Sequence, residues 1–145
     1  NYVYRKLKTL QHDIDNPIIK VKEQNKTAFW ETRGLRADIV VETKYKRLVI
    51  DTKWKVLKDS KPSDGDLKQM FVYNLHYDTD LSILLYPKTN IESTEKKPFR
   101  DEKFKALNCQ VAFTDLFNSS GILEKDLGKR IYNELLKTEL NYHAH

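Results

Sequence analysis

Two runs rich in β-branched residues, RADIVVE (36–42) and RLVIDTKWK (47–55), stand on either side of the polar tetrapeptide TKYK (43–46). Branched side chains fit a pleated surface, and a few polar residues between two such runs let the chain fold back on itself. The middle of the chain is therefore expected to form a β-hairpin. Each run also carries an acid, Asp38 in the first and Asp51 in the second. Acids in the stretches most inclined to be buried need a chemical reason, because an uncompensated charge in an apolar surrounding is strongly unfavourable.

The flanking pattern completes an α/β order. YRKLKTLQ (4–11) reads as the end of a helix, and NPIIKVKEQ (16–24) alternates as an edge or half-buried strand does. After the turn-forming KDSKPSDGD (58–66), the stretch DLKQMFVYNLHY (66–77) places Leu67, Met70, Phe71 and Leu75 at helical spacing, with Ser63 or Asp64 as its N-cap. LSILLYP (81–87) is a continuous apolar run of the kind found in a central strand covered on both faces. NIESTEKKPFRDEKF (90–104) has no period and reads as a surface excursion, and LNCQVAFTDLF (107–117) as a further strand. A final helix over 121–140 would align Ile122, Leu123, Leu127, Ile131, Leu135 and Leu136. The expectation is a mixed β-sheet flanked by helices in a single domain spanning 1–145.

Composition narrows the class further. Cys109 is the single cysteine, which excludes a disulfide framework and a cysteine-based zinc site and fits a reducing, cytoplasmic setting. No apolar run approaches the roughly 20 residues that span a bilayer. His12, His76, His143 and His145 are scattered without acid or cysteine companions, so neither zinc spacing nor a nucleophilic triad emerges. A net charge of +5 accommodates a polyanionic partner and equally a solvated lysine-rich surface. No glycine-rich phosphate loop of the Walker type is present, so nucleotide dependence would come from a partner. The chain begins at Asn1 rather than methionine, and it is expected to be the C-terminal part of a longer protein.

If Thr43–Lys46 is the hairpin loop, Glu42 faces Arg47, and equal steps back along the two strands set Asp38 opposite Asp51. Directly opposed residues have Cβ atoms about 4.5–5.5 Å apart, and alternation puts Lys53 on the face of Asp51. Two carboxylates so close repel each other, so the arrangement calls for a cation. Mg²⁺ or Mn²⁺ would suit the oxygen ligands, polarise a phosphate and lower the pKa of an attacking water. Lys53 would either orient that water or stabilise the charge developing on the phosphorus-bound oxygens. A salt-bridged edge hairpin is the plainer alternative, since an acid two residues before a lysine recurs at Glu42, Asp59, Asp66, Glu95 and Asp101.

At this point the sequence resembles the PD-(D/E)xK nuclease superfamily, with Ala37-Asp38 and Asp51-Thr52-Lys53 in the positions of its two half-motifs. Gln69 and Tyr73, four residues apart, are similar to the QxxxY helix motif of its RecB-like branch. Residues 36–87 more narrowly resemble the C-terminal nuclease domains of the McrC type, the cleavage subunits of modified-cytosine restriction systems. The resemblance implies a restriction-endonuclease-like α/β core that hydrolyses double-stranded DNA with Mg²⁺ or Mn²⁺. In it, Asp38, Asp51 and the Thr52 carbonyl are metal ligands, Lys53 is the catalytic lysine, and Gln69 and Tyr73 border the active site. It also implies control by a McrB-like AAA+ GTPase, engaged through a region absent from this chain, and two such sites for double-strand scission. Ala37 replaces the pattern's proline, and NYVYRKLKTLQ supplies no upstream helix acid of the kind many relatives have. Lys55, Lys58, Lys61 and Lys68 are candidate DNA-phosphate contacts. The rival readings are a catalytically silent DNA- or partner-binding module of the same fold, and another RecB-like or transposase-type nuclease.

Overall fold

The structure, a computed structural model, describes residues 2–12, 18–44, 46–55, 57, 61–88, 93, 95–115, 121 and 126–140. Lys58, Ile122, Leu123, His143 and His145 lie outside the described residues. The chain divides into two compact units, residues 1–47 with 117–145 and residues 48–116.

In the first unit a short helix, α1 (Tyr2–Lys8), continues as a 3-10 turn and is followed by β1 (Ile18–Trp30) and β2 (Arg33–Thr43). The two strands pair antiparallel from Ile18 opposite Thr43 to Trp30 opposite Arg33, turning at Glu31, whose φ is 50°. This long hairpin is not legible in the sequence, because QNKTAFW has neither strict alternation nor a glycine-based turn. Its strands are held by ladder hydrogen bonds that local pattern does not report. Inward positions of β2, Ala37, Ile39 and Val41, are fully buried.

Two side-chain bonds pin α1 to β1: Lys8 Nζ donates to the Val21 carbonyl at 3.3 Å, and Gln11 Oε1 accepts from the Val21 N–H at 3.0 Å. The C-terminal helix comprises α3 (Leu127–Ile131), a π-helical turn (Tyr132–Leu136) and α4 (Lys137–Leu140). Its extra residue per turn changes which side chains face inward. Leu127, Ile131, Tyr132, Leu136 and Leu140 are buried, whereas the expected Leu135 is only half-buried. Lys46, beside the turn after β2, pairs with Glu139 of α4 at 2.9 Å.

The second unit holds β3 (Arg47–Thr52) from Leu48 onward, α2 (Asp64–His76), β4 (Leu81–Pro87), β5 (Lys97–Pro98) and β6 (Asn108–Thr114). β3 and β6 flank β4 and run parallel to it, with Asp51 opposite Leu84 and Leu84 opposite Val111, while β5 pairs antiparallel with β6. The sheet is thus mixed, as expected, and β4 is its central strand, buried from Leu81 to Tyr86. A parallel pair needs a crossover, and α2 supplies it.

Ser63 caps α2, its Oγ accepting from the Asp66 N–H at 3.1 Å. The buried face of the helix is Met70, Tyr73 and Asn74, with Tyr77 just beyond. This corrects the expected stripe: Leu75 is 51% exposed, and Phe71 packs edge-on between Phe99 at 5.1 Å and Phe104 at 4.9 Å. The polar Asn74 turns inward because its Nδ2 donates to the Asn108 carbonyl at 3.0 Å, tying α2 to β6. Among the described residues no helix is long and apolar enough to cross a membrane.

Candidate functional site

The chemistry-bearing side chains of the second unit converge where β3 ends. Asp51 is its penultimate residue and is 4% exposed, and Thr52 is also buried. The chain beyond stays in register with β4, the Lys53 N–H donating to the Leu85 carbonyl at 2.9 Å. Lys53 therefore returns to the face of Asp51, and its Nζ lies 2.8 Å from Asp51 Oδ2.

Helix α2 closes over this pair. Gln69 Oε1 accepts from Lys53 Nζ at 3.3 Å, and Gln69 Nε2 donates to the Tyr73 hydroxyl at 3.0 Å. An ammonium only donates, so the amide must present its oxygen to the lysine and its nitrogen to the tyrosine. The ring of Tyr73 is 2% exposed and belongs to the core, with its hydroxyl serving the relay. Asp66, one turn earlier on α2, completes the cluster: its Oδ1 lies 3.4 Å from Lys53 Nζ and its Oδ2 lies 3.1 Å from Lys55 Nζ.

Electrostatics follow from this packing. Burial alone would depress the Lys53 pKa, but its hydrogen bond and attraction to Asp51, then the charge of Asp66, outweigh that and raise it. Burial alone would raise the Asp66 carboxyl, but Lys55 and Lys53 overcome it and hold the group below the usual range. The Tyr86 phenol, on β4, is pushed up to about 12, first by burial and then by the charges of Asp66, Cys109 and Asp51. Tyr86 is fully buried and its hydroxyl has no hydrogen-bond partner among the described residues.

Of the residues expected from sequence, Asp51, Thr52, Lys53, Gln69 and Tyr73 are brought together in one unit. Asp38 belongs to the other unit, half-buried on β2 between the fully buried Ala37 and Ile39. Ala37 pairs with Asn25 across the β1–β2 ladder, where a proline would remove a backbone donor. Glu42 and Arg47, expected to face each other across the turn, form an ion pair at 3.0 Å. Lys55 is engaged by Asp66, Lys68 is exposed on α2, and Lys61 borders a cavity of about 500 Å³ with Leu67, Lys97, Phe99 and Arg100.

Asp66 was missed by sequence reasoning. Its spacing to Lys68 looked like any other acid–lysine pair of a solvated helix, and nothing local reports that Lys53 and Lys55 reach it from beyond β3. Trp54, beside the lysine and 53% exposed, was also missed.

The donor set can be weighed for a hard divalent cation. Among the described residues no group of three or more His, Cys, Asp or Glu side chains gathers. The second unit nevertheless offers the Asp51 carboxylate at a strand end, the neighbouring Thr52 backbone carbonyl and the orphaned buried hydroxyl of Tyr86. All-oxygen donors with one or two carboxylates match the way Mg²⁺ is usually held, with water filling the remaining positions. The residues fit such an ion.

Fold and site thus define a mixed α/β domain carrying an acid–threonine–lysine site at a strand end under a crossover helix. Residues 1–87 match the family described as McrBC 5-methylcytosine restriction system component. The chain belongs to that family. Among solved structures it is similar to one described as a refined half-complex from a tetradecameric assembly of Thermococcus gammatolerans McrB AAA+ hexamers with bound McrC, with 20% identity and a TM-score of 0.61. The match covers 87% of this chain and 30% of the other, so this chain spans less than a third of that neighbour's length. No curated protein matches the chain.

Proposed function

We propose that this chain carries the phosphodiester-cleaving centre of a McrBC-type restriction system. It acts on double-stranded DNA with Mg²⁺ or Mn²⁺ and is controlled by a McrB-like AAA+ GTPase engaged through parts of the protein beyond this domain. The carrying observation is the buried Asp51 carboxylate paired with the half-buried Lys53, which is held by the Gln69–Tyr73 relay of α2. Family membership supports the system, and the likeness to a McrC-containing assembly supports the partner.

In this reading Asp51 and the Thr52 carbonyl hold the cation, and Asp38 is carried as a ligand by its place in the half-motif. When bound, the ion polarises the phosphate and acidifies an attacking water. Lys53 serves as a fixed donor to developing negative charge; in the metal-free protein Asp51 and Asp66 outweigh burial and raise its pKa. Gln69 orients the ammonium, and Tyr73 orients Gln69. Lys55, Lys61 and Lys68 contact flanking phosphates, and double-strand scission uses two copies of the site.

The test is calorimetric titration of Mn²⁺ into the wild type and Asp51→Asn, both verified as folded by circular dichroism. Binding in the wild type that is lost in the variant supports the site. A folded wild type that binds no Mn²⁺ overturns the metal assignment and favours a silent DNA- or partner-binding module.

A further inference from the structure

Lys53 Nζ donates to Gln69 Oε1 at 3.3 Å and is ion-paired with Asp51 Oδ2 at 2.8 Å and Asp66 Oδ1 at 3.4 Å. A cation taking the Asp51 carboxylate removes the shortest of the three and repels the ammonium. Were Asp66 absent, Gln69 would be the last of these three anchors, and a flexible four-carbon side chain that is 23% exposed would leave for water.

We propose that Asp66 is a positioning residue that retains the Lys53 ammonium over the site when a divalent cation occupies Asp51. This rests on the metal-dependent reading above. Three features suit Asp66 to the task. It lies in the capped first turn of α2, where the Ser63 bond to its own N–H fixes the backbone. Its second oxygen is tied by Lys55 at 3.1 Å, which limits rotation of the carboxylate. Its charge is secured by both lysines, so it stays ionised well below neutrality.

A purely structural Asp66 is the competing account, since an acid in the first turn of a helix stabilises it by about 0.3–1 kcal/mol through the helix dipole. The two accounts separate in ¹⁵N-detected spectra of the lysine ammonium groups, recorded without metal and with diamagnetic Mg²⁺. In the wild type the Lys53 signal shifts on Mg²⁺ addition and stays visible, held by Asp66. In Asp66→Asn it is visible without metal, held by Asp51, and is lost to solvent exchange with Mg²⁺. A Lys53 signal that survives Mg²⁺ in Asp66→Asn overturns the proposal, as does a wild-type signal that Mg²⁺ leaves unmoved.

Cleavage by the complete protein with its GTPase partner supplies the second readout. At saturating Mg²⁺, Asp66→Asn lowers kcat about 10- to 100-fold, the usual range for a group that orients a site residue, with KM for DNA little changed. Asp66→Glu recovers most of the loss. A wild type that cleaves beside an Asp66→Asn variant of equal kcat refutes the positioning role alone. Loss of Mg²⁺ affinity with normal kcat at saturation would instead make Asp66 a ligand, which also refutes it. A wild type that never cleaves counts against the nuclease reading, and the spectra then decide Asp66 independently.

Discussion

Lys53→Met separates the structural and catalytic duties of the lysine, because methionine keeps most of the apolar stem and removes the charge. Asp51 is 4% exposed and its Oδ2 loses a partner at 2.8 Å. Removing one member of a fully buried pair costs about 3–5 kcal/mol, but the Lys53 side chain is 23% exposed and solvent screens part of the attraction. The carboxylate can also escape by taking up a proton, which at pH 7 costs about 4 kcal/mol and bounds the penalty from above. A loss of about 1–3 kcal/mol follows, or roughly 3–10 °C in the melting midpoint in EDTA. The same pairing is what an incoming ion must displace in the wild type, so its removal should tighten Mn²⁺ binding by roughly 5- to 100-fold while cleavage is lost. Calorimetry and thermal melts with and without Mn²⁺ measure both. A variant that melts with the wild type in EDTA, or binds Mn²⁺ no more tightly, would refute the view that the lysine holds the ion's place.

Gly128→Ala should destabilise the first unit by about 2–3 kcal/mol, because a Cβ there would sit 2.6 Å from the Lys6 carbonyl carbon and 3.3 Å from the Leu7 nitrogen. These are backbone atoms of α1 that cannot swing aside, so the usual helix gain from alanine of about 1 kcal/mol is overwhelmed. A urea midpoint equal to or above the wild type would contradict the close approach. Cys109 is buried and its thiol is pushed up from 9.0 to about 11, first by burial and with Ser82 opposing. The folded state binds this proton more tightly, so the contribution is complete below pH 9 and fades as pH rises through about 11, reaching a loss of about 1 kcal/mol near pH 10. Urea midpoints from pH 8 to 10.5 should fall more steeply in the wild type than in Cys109→Ala, and parallel slopes would disprove it.

What the sequence made legible depended on whether a side chain's job was local. The β-branched run ending at Asp51, the apolar run 81–87 and the Ser63 cap are short-range signals, and each lies where the pattern placed it. The spacing of Gln69 and Tyr73 also sufficed, because four residues bring two side chains onto one face of a helix. Non-local features escaped. The β1–β2 hairpin is defined by its pairing, the inward turn of Asn74 by an acceptor 34 residues away, and Leu75 was assigned to the core by a periodicity that the edge-packed Phe71 also satisfied. Asp66 escaped for the same reason, since its meaning comes from Lys53 and Lys55, just past the end of β3.

The question posed by an acid in an apolar run also has a fuller answer than the sequence allowed. Reasoning from repulsion between carboxylates called for an external cation, yet in the second unit the charge is already met from within. Asp51 and Asp66 contribute two negative charges, and Lys53 and Lys55 contribute two positive ones, interlocked through the four contacts Asp51–Lys53, Lys53–Asp66, Asp66–Lys55 and Lys53–Gln69. Among these four groups the charges balance without a metal. A divalent ion entering this cluster adds two positive charges, and the arrival of a phosphodiester with its single negative charge offsets part of them. On this reasoning metal and DNA bind cooperatively, each raising the affinity for the other by the same factor. Mn²⁺ titrations with and without a short duplex should show that coupling in the wild type, and its absence would mean that the ion and the phosphate do not share the site.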